Sequence, residues 1–317
     1  MTRVFITIDT ELMWRHHVSG LDAVTIVQRS LEPAGVGIGW QLAQLRGAGL
    51  KATFFVDPMP CLLFGTEWMK RVVGEILDAG QEVQLHLHPN WAGAKVGDRG
   101  AAYAAYELID YSYDEQRELL AGASDMLTAA GAPEPVAFRS GSYSASDDTL
   151  LALAELGFLY DSSHNGSEHP WPSAISLDRT QIAPVKHLGV TEVPVTLIED
   201  QKGHLRHFQI CALSAAEMRA ALDHAAREEH VAVTIVGHSF ELANRAGTRP
   251  NGVHVRRFET LCRILSDRKG VMTTSHFADR PELALGQHDA PLGPSMIRTR
   301  LRQAEQLWSN WVEERAA

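Results

Sequence analysis

Near its N-terminus the chain runs Val4-Phe5-Ile6-Thr7-Ile8-Asp9-Thr10-Glu11, an apolar, β-branched stretch that ends in two acidic residues. The apolar part is typical of a buried strand. It is too short for the apolar region of a signal peptide, and no small-residue cleavage site follows it. The sequence therefore predicts a buried first strand with two carboxylates directly after it, in a cytoplasmic protein.

Outward from this stretch, short apolar runs alternate with helical patterns. The predicted strands are Val4–Ile8, Ala52–Val56, Glu82–Leu85, Val136–Phe138, Phe158–Tyr160, Val231–Val236 and Gly270–Thr274. The predicted helices are Gly39–Ala48, Glu67–Ala79, Tyr113–Ala130, Ser146–Leu156, Ser214–Glu229 and Val255–Ser266. Repeated strand-then-helix units indicate an α/β architecture with parallel strands. Seven or eight strands favour a closed or nearly closed barrel, and no Gly-rich phosphate loop follows the first strand.

The C-terminal part of the chain is predicted as a loop and a helical tail. Residues 281–293 form the loop, and residues 295–314 form an amphipathic helix whose apolar residues are Met296, Leu301, Leu307, Trp308 and Trp311. We expect this helix to pack on the barrel or on a second copy in a homodimer, because it lacks the basic polar face of a membrane-surface helix. The prediction is thus one barrel over residues 1–280 and a tail over residues 281–317.

The composition is that of a globular protein with an acidic balance. Among 317 residues, 29 Lys and Arg stand against 39 Asp and Glu, for a net charge of −10 with His neutral. This charge argues against a nucleic-acid or anionic-membrane partner, and no apolar run approaches the roughly 18 residues of a spanning helix. Cys61, Cys211 and Cys262 are odd in number and far apart, which excludes a disulfide framework or a thiolate metal site.

Four predicted strands each end in residues that can bind a metal or move a proton. These residues are Asp9 and Glu11, His86 and His88, Arg139, and His238. Because the C-terminal ends of parallel barrel strands share one face, where active sites are built, we expect these side chains to converge. A single one would be an ordinary loop residue, whereas four sets together indicate a site.

The motif His86-Leu87-His88 has the period-two spacing that points both imidazoles to one side of a strand. Two imidazoles and one carboxylate are a common ligand set for Zn²⁺ or another divalent ion. Asp9 and Glu11 have the same spacing, so one can bind the ion while the other acts as a base. The pattern leaves open which does which. The ordinary alternatives are two surface histidines and a capping cluster.

Two further residues extend the predicted site. A buried Arg139 would hold a carboxylate through a bidentate bond. His238, one glycine beyond the most hydrophobic run of the chain, can act as a general acid near neutral pH. The ordinary alternatives are a surface ion pair and a core histidine bonded to the backbone.

Together these motifs resemble those of the polysaccharide deacetylases of the NodB-homology type, carbohydrate esterase family four. The likeness spans about residues 4–278 and rests on residues 6–11, 49–56, 80–89, 138–143 with 156–163, and 235–238. Two departures make the chain similar to a divergent branch with a Leu-His-Leu-His-Pro motif. Thr10 interrupts the acidic pair, and the two histidines are two residues apart instead of four.

The resemblance implies a distorted (β/α)₇ barrel and metal-dependent removal of an acetyl group, with N-acetyl favoured, from a sugar or oligosaccharide. It implies Glu11, His86 and His88 as ligands of a divalent ion, with Zn²⁺ favoured over Co²⁺ or Ni²⁺. Asp9 and Glu11 could exchange their roles of base and ligand.

The resemblance also implies the remaining roles. Asp9 would take a proton from the attacking water, Arg139 would orient Asp9, and His238 would protonate the leaving amine. Tyr143 would bind the substrate, with its backbone N–H at the oxyanion. Trp91 and the tyrosine-rich segment up to Tyr113, which includes Tyr103, would either line the cleft, where aromatic faces stack on sugars, or form a lid packed onto the barrel.

Two other functions compete with this one. A metal-independent amidohydrolase of a cyclic amide or imide could use the same scaffold, but such proteins typically lose the metal histidines, and His86 and His88 are present. A catalytically silent carbohydrate-binding barrel is favoured by Thr10. The joint presence of Asp9, Arg139 and His238 argues against that alternative.

Overall fold

The computed structural model describes residues 1–96 and 106–314. Its strands are β1 (Thr2–Thr10), β2 (Thr53–Val56), β3 (Glu82–Leu87), β4 (Ala137–Ser140), β5 (Ala145–Ser146), β6 (Tyr160–Asp161), β7 (Ser173–Ala174), β8 (Val185–His187), β9 (Val190–Glu192), β10 (Leu197–Gln201), β11 (His204–His207), β12 (Ala232–His238) and β13 (Met272–Thr274). Its α-helices are α1 (Trp14–Val18), α2 (Ala23–Leu31), α3 (Ile38–Ala48), α4 (Cys61–Phe64), α5 (Glu67–Asp78), α6 (Tyr113–Ala129), α7 (Asp147–Glu155), α8 (Ala215–Arg227), α9 (Gly252–Asp267) and α10 (Met296–Trp308).

The main sheet has nine strands, in the order β12-β1-β2-β3-β4-β6-β9-β8, with β13 paired to β1. β1 is the second strand, next to β12 at one edge. It pairs in parallel with β12 along its length, while its other edge pairs first with β13 and then with β2. The pairs through β9 are parallel, and β8 joins β9 in antiparallel fashion.

The sheet curls because segments after β9 return to β12. The backbone N–H of Thr196 donates to the carbonyl of Thr234 at 3.2 Å, and that of Val236 donates to the carbonyl of Phe208 at 2.9 Å. These bonds join the far part of the sheet to its β12 edge. The result is an incomplete barrel with helices outside it, which confirms the predicted distorted (β/α)₇-type architecture.

Local sequence explains where the elements begin and end. α3 ends at Gly49, whose φ of 62° is the left-handed conformation that glycine adopts at no steric cost. α8 begins at the predicted capping box, in which Ser214 and Glu217 bond each other's backbone N–H groups. α5 buries one apolar stripe against the sheet, formed by Trp68, Met69, Val72, Val73 and Ile76.

The tail helix α10 packs on the body through its polar face. Thr299, Arg302 and Ser309 are its buried side chains or follow it directly. Its apolar residues point to solvent instead: Met296, Ile297, Leu301, Leu307, Trp308 and Trp311 are all more than half exposed. The tail is helical as predicted and packs on the body, while its packing on a second copy stays a prediction. The predicted boundary near residue 280 stays a prediction.

Among the helices of the described ranges, none combines the length and apolar character that crossing a bilayer requires.

Candidate active site and metal centre

The predicted residues converge at the C-terminal ends of the central strands. Asp9, the next-to-last residue of β1, lies opposite His238 of β12, with which it is in register. His86 of β3 is in register with Arg139 of β4. Because parallel strands fix the direction in which each chain leaves the sheet, four distant segments deliver their polar residues to one face.

Glu11, His86 and His88 form a group of metal-donor atoms. One atom from each lies within 4.8 Å of the other two. Glu11 Oε2 lies 3.3 Å from His86 Nε2 and also contacts His88 Nε2. His86 Nδ1 lies 2.7 Å from the carbonyl of Arg139. A carbonyl only accepts, so Nδ1 carries a hydrogen and Nε2 is the ring nitrogen that could bind an ion. This donor set fits a divalent ion of the Zn²⁺ type.

Glu11 and His88 shift each other's pKa in opposite directions. Burial opposes ionisation of Glu11, but the charges of His88 and His86 and their hydrogen bonds outweigh it and lower the pKa of Glu11 well below its usual range. Burial likewise disfavours a charged His88, but Glu11 and Asp57 raise the pKa of His88 to about 9. Metal ligands must be deprotonated, so a bound ion would displace the proton of His88.

Arg139 is fully buried and holds Asp9 in place. Its Nη1 donates to Asp9 Oδ1 at 3.1 Å and to Thr7 Oγ1 at 2.6 Å. Its Nε and Nη2 donate to the carbonyl and hydroxyl oxygens of Ser162, and its guanidinium carbon lies 4.8 Å from the centre of the Phe55 ring. A guanidinium held by three other hydrogen bonds keeps the Asp9 carboxylate in place. Its contact with Asp9 runs through one nitrogen, so the predicted bidentate bond is wrong.

A second pair of carboxyl groups near Arg139 was not predicted. Asp161 and Glu192 are in register on β6 and β9 and are fully buried. Burial raises the pKa of both, and the charge of Asp161 raises that of Glu192 further. The charge of Arg139 acts in the opposite direction and lowers the pKa of each.

His238 faces Asp9 across the site. Its Nε2 lies 3.9 Å from Asp9 Oδ2, and its Nδ1 lies 3.4 Å from Glu241 Oε2. Burial lowers the pKa of His238, but the hydrogen bond and charge of Glu241, with Asp9, raise it to about 9. His238 is therefore protonated at neutral pH and is suited to give up a proton.

Glu241 was missed by the sequence analysis. It also accepts from the backbone N–H of His238 at 2.9 Å and of Cys211 at 2.6 Å. Burial disfavours its ionised form, but the hydrogen bond and charge of His238 lower the pKa of Glu241 to about 2. Glu241 could have been found from the sequence, because it follows the strand-end residue His238 by three positions.

Comparisons with known proteins find likeness in three-dimensional structure only. No protein-family profile matches the chain, and no curated protein matches it. A protein from Mycobacterium smegmatis assigned to the polysaccharide deacetylases is similar with a TM-score of 0.58 at 17% identity, over 91% of this chain and 94% of that one. A Pseudomonas aeruginosa PAO1 protein with the same assignment has a TM-score of 0.53 at 14% identity, over 88% and 89% of the two chains. This chain has the fold of the polysaccharide deacetylases.

The same fold also occurs with another chemistry. The PuuE allantoinase is similar with a TM-score of 0.51 at 13% identity, over 88% of each chain. At these identities the likeness establishes the fold that the motifs predicted. The activity must be argued from the side chains.

The two predicted substrate-binding residues, Tyr143 and Trp91, have different surroundings in the structure. Tyr143 follows β4 in a left-handed conformation, with φ of 60°, and its ring centre lies 5.8 Å from that of His207. Its pKa is raised well above the usual range by burial and by the charge of Asp9. Its hydroxyl oxygen is buried and has no hydrogen-bond partner among the described residues.

Trp91, in contrast, presents no ring face to a substrate. It is 1% exposed, and its ring packs against those of Trp14, His17 and Phe64 at centroid distances of 4.8 to 5.9 Å. Its predicted stacking on a sugar is wrong because the ring is a core element. Tyr103, predicted to line the same cleft, lies outside the described residues.

Asp57, which directly follows β2, was also missed. It is fully buried, and its Oδ1 accepts from the backbone N–H of Met59 at 3.0 Å. Burial raises the pKa of Asp57 to about 6, against the lowering effects of His88 and His86. The signal was the same as for the other strands: a polar residue at the C-terminal end of a predicted apolar strand.

Proposed function

We propose that this protein is a metal-dependent hydrolase that removes an acetyl group, an N-acetyl group by preference, from a sugar or oligosaccharide. The observation that carries the proposal is the group of Glu11, His86 and His88 donor atoms within 4.8 Å of one another. This group lies at the same barrel end as the Asp9, Arg139 and His238 side chains. The deacetylase fold supports the reaction class.

Glu11, His86 and His88 would hold a divalent ion, Zn²⁺ in the first instance. Such an ion, when bound, lowers the pKa of water and polarises a carbonyl oxygen. The imidazoles and the carboxylate are fixed for this task, because Arg139 orients His86 from behind through its carbonyl.

The chain's own residues then divide the proton transfers. Asp9, held by Arg139, accepts a proton from the attacking water. His238, charged at neutral pH because Glu241 faces it, donates a proton to the nitrogen of the leaving amine. Each of these transfers typically contributes about 10²–10⁴ in rate. The backbone N–H of Tyr143 would stabilise the developing oxyanion.

The cyclic-amide alternative has a specific observation in its favour, the structural likeness to the PuuE allantoinase. A metal-independent reaction would leave the Glu11, His86 and His88 group without a role, and this disfavours it. A silent binding barrel would likewise need neither the fixed Asp9–Arg139 contact nor the Glu241–His238 pair.

The test is elemental analysis of wild type, His86→Ala and His88→Ala, combined with acetate release from a panel of N- and O-acetylated sugars. We expect about one divalent ion per wild-type chain, its loss in both variants with the fold retained, and acetate release by wild type alone. Ser176→Ala, a surface change far along the chain, is the matched control. No ion in any sample after loading with Zn²⁺ or Co²⁺ would refute the metal mechanism. Hydrolysis of a cyclic amide by metal-free protein would establish the alternative.

A further inference from the structure

Asp57 occupies the place in the sheet between two of the proposed metal ligands. Thr10 of β1 is in register with Val56 of β2, and Val56 is in register with Leu85 of β3. Continued by one residue, this register aligns Glu11, Asp57 and His86 in a single row. The backbone N–H of Asp57 donates to the carbonyl of Thr10 at 3.0 Å, so the ladder does continue between β1 and β2.

Residues in register on neighbouring parallel strands point to the same face, about 4.8 Å apart. The middle member of the row therefore faces the same side as Glu11 and His86. The electrostatic influence of His88, His86 and Glu11 on Asp57 agrees with this placement. Asp57 is a carboxylate directed toward a group of metal-donor atoms.

Only half of this carboxylate has a structural use. Oδ1 accepts the Met59 N–H in a turn that closes the strand end. Oδ2 is buried and has no hydrogen-bond partner among the described residues. Leaving a buried carboxylate oxygen without a hydrogen bond is unfavourable. The local turn uses Oδ1 only, so Oδ2 is available to accept a hydrogen bond from a bound ligand.

We propose that Oδ2 of Asp57 accepts a hydrogen bond from a water molecule bound to the metal held by Glu11, His86 and His88. The inference rests on the proposed function, since it concerns the same ion. Asp57 acts through that water, because among the described residues it is not part of the group whose donor atoms lie within 4.8 Å of one another. Asp57 is thus a positioning residue that strengthens metal binding.

The two carboxylates Asp9 and Asp57 would therefore have different roles. Asp9 is held by Arg139 and faces His238, on the side where proton transfer to the leaving group takes place. Asp57 follows β2, which lies between β1 and β3, and no ion pair joins Asp57 to Arg139 among the described residues.

The test uses Asp57→Asn in the full-length protein. Asparagine keeps an Oδ1 that accepts the Met59 N–H, so the turn is retained, while Oδ2 is replaced by an NH₂ group that cannot accept a hydrogen bond. The readouts are Zn²⁺ affinity by chelator competition, the absorption spectrum of the Co²⁺-loaded protein, and the melting temperature with and without metal. Glu11→Gln is the positive control. Glu32→Gln, a half-buried carboxylate bonded to the Gly39 N–H, is the negative control.

We expect Asp57→Asn to lower Zn²⁺ affinity by about 10- to 100-fold, as for residues that support a metal ligand. Its Co²⁺ spectrum should match wild type, and its metal-free form should melt at or above the wild-type temperature because an unpaired carboxylate is gone. Unchanged affinity in Asp57→Asn would overturn the inference and leave the proposed function intact. A changed Co²⁺ spectrum would overturn it by making Asp57 a direct ligand. A wild type that binds no metal would overturn both.

Discussion

The barrel end and the tail helix bury polar side chains for different reasons. At the barrel end, Asp9, Glu11, His86 and Arg139 are gathered by four separate strands around a site for chemistry. In the tail, one face of a single helix places Arg302 against two buried carboxylates of the body. Its Nη2 donates to Asp200 Oδ2 at 2.6 Å, and its Nε donates to Glu217 Oε1 at 3.0 Å.

Buried charge in this protein therefore has two functions, and substitutions should have different effects in the two regions. The tail network is satisfied by the protein itself: Arg206 also bonds Asp200, and Ser214 also bonds Glu217. At the barrel end, Asp57 Oδ2 and Tyr143 Oη have no hydrogen-bond partner within residues 1–96 and 106–314. We therefore expect substitutions in the tail network to change stability, and substitutions at the barrel end to change metal binding or pH dependence.

The largest expected stability effect comes from Arg302→Met. The side chains of Asp200 and Glu217 are each 1% exposed, so loss of their shared cation leaves two buried charges with incomplete compensation. Breaking a buried pair in this way typically costs about 3–5 kcal/mol. Because the contacts with Arg206 and Ser214 remain, we expect the free energy of unfolding to fall by about 3 kcal/mol. Urea denaturation measures this change.

Arg300→Met is the matched control, because Arg300 is exposed on the same helix. It should change the free energy of unfolding by no more than about 0.5 kcal/mol. Neither variant should change the metal content of the folded protein. If Arg302→Met were as stable as wild type, the view of the tail as an ion-paired dock would be wrong.

The next largest effect is a change in the pH dependence of activity, which we expect from Glu241→Gln. The charge of Glu241 helps to raise the pKa of His238 to about 9, so its removal lets burial lower that pKa again. The alkaline limb of kcat/KM for acetate release should then move from about pH 9 toward or below about 6.5, the ordinary imidazole value. Activity at mildly alkaline pH falls while activity near pH 6 is better preserved.

Stability should follow the same titration. The raised pKa of His238 contributes stability that is complete below about 6.5 and is lost as the pH rises through about 9. Glu241→Gln should remove this dependence. Glu168→Gln serves as the control, because Glu168 lies 3.9 Å from His207 and is more exposed. An alkaline limb that stays near pH 9 in Glu241→Gln would show that another group donates the proton.

The two regions also differ in how far the sequence predicts them. The strand-end residues could be predicted because a buried parallel strand has only one direction in which to deliver the side chains that follow it. Asp57 obeys the same rule and could have been found by it. The single-nitrogen contact of Arg139 with Asp9 could not, because the bonds to Thr7 and Ser162 are set by the tertiary structure.

For the tail, periodicity predicts a helix with two unlike faces but not which face turns inward. That choice depends on Asp200 and Glu217, which lie about 100 and 85 residues earlier in the chain and are themselves buried. Trp91 failed for a related reason. An aromatic residue after a strand fits a cleft wall or a core equally well, and here Trp14 and Phe64 cover it.

Substitutions on the outward face of α10 should have the smallest effect on stability. We expect them to change the association of the protein. Leu301 is 52% exposed and Trp308 is 58% exposed, and the opposite face is already occupied by the Arg302 network. Contiguous exposed apolar side chains of this kind mark association sites. Since the same face on a second copy is equally apolar, we expect a two-fold homodimer through α10.

Sedimentation velocity of wild type and of a Leu301→Glu, Trp308→Glu double variant measures this association. The variant should be monomeric at concentrations where wild type is dimeric, with the free energy of unfolding of the monomer changed by only about 0.5 kcal/mol per site. Val24→Glu, at an exposed apolar position on α2, should leave the dimer intact. A wild type that stays monomeric over the whole concentration range would mean that α10 turns its apolar face outward for a partner other than a second copy. The inward polar face would still be explained by Asp200 and Glu217, because that part of the comparison depends on stability alone.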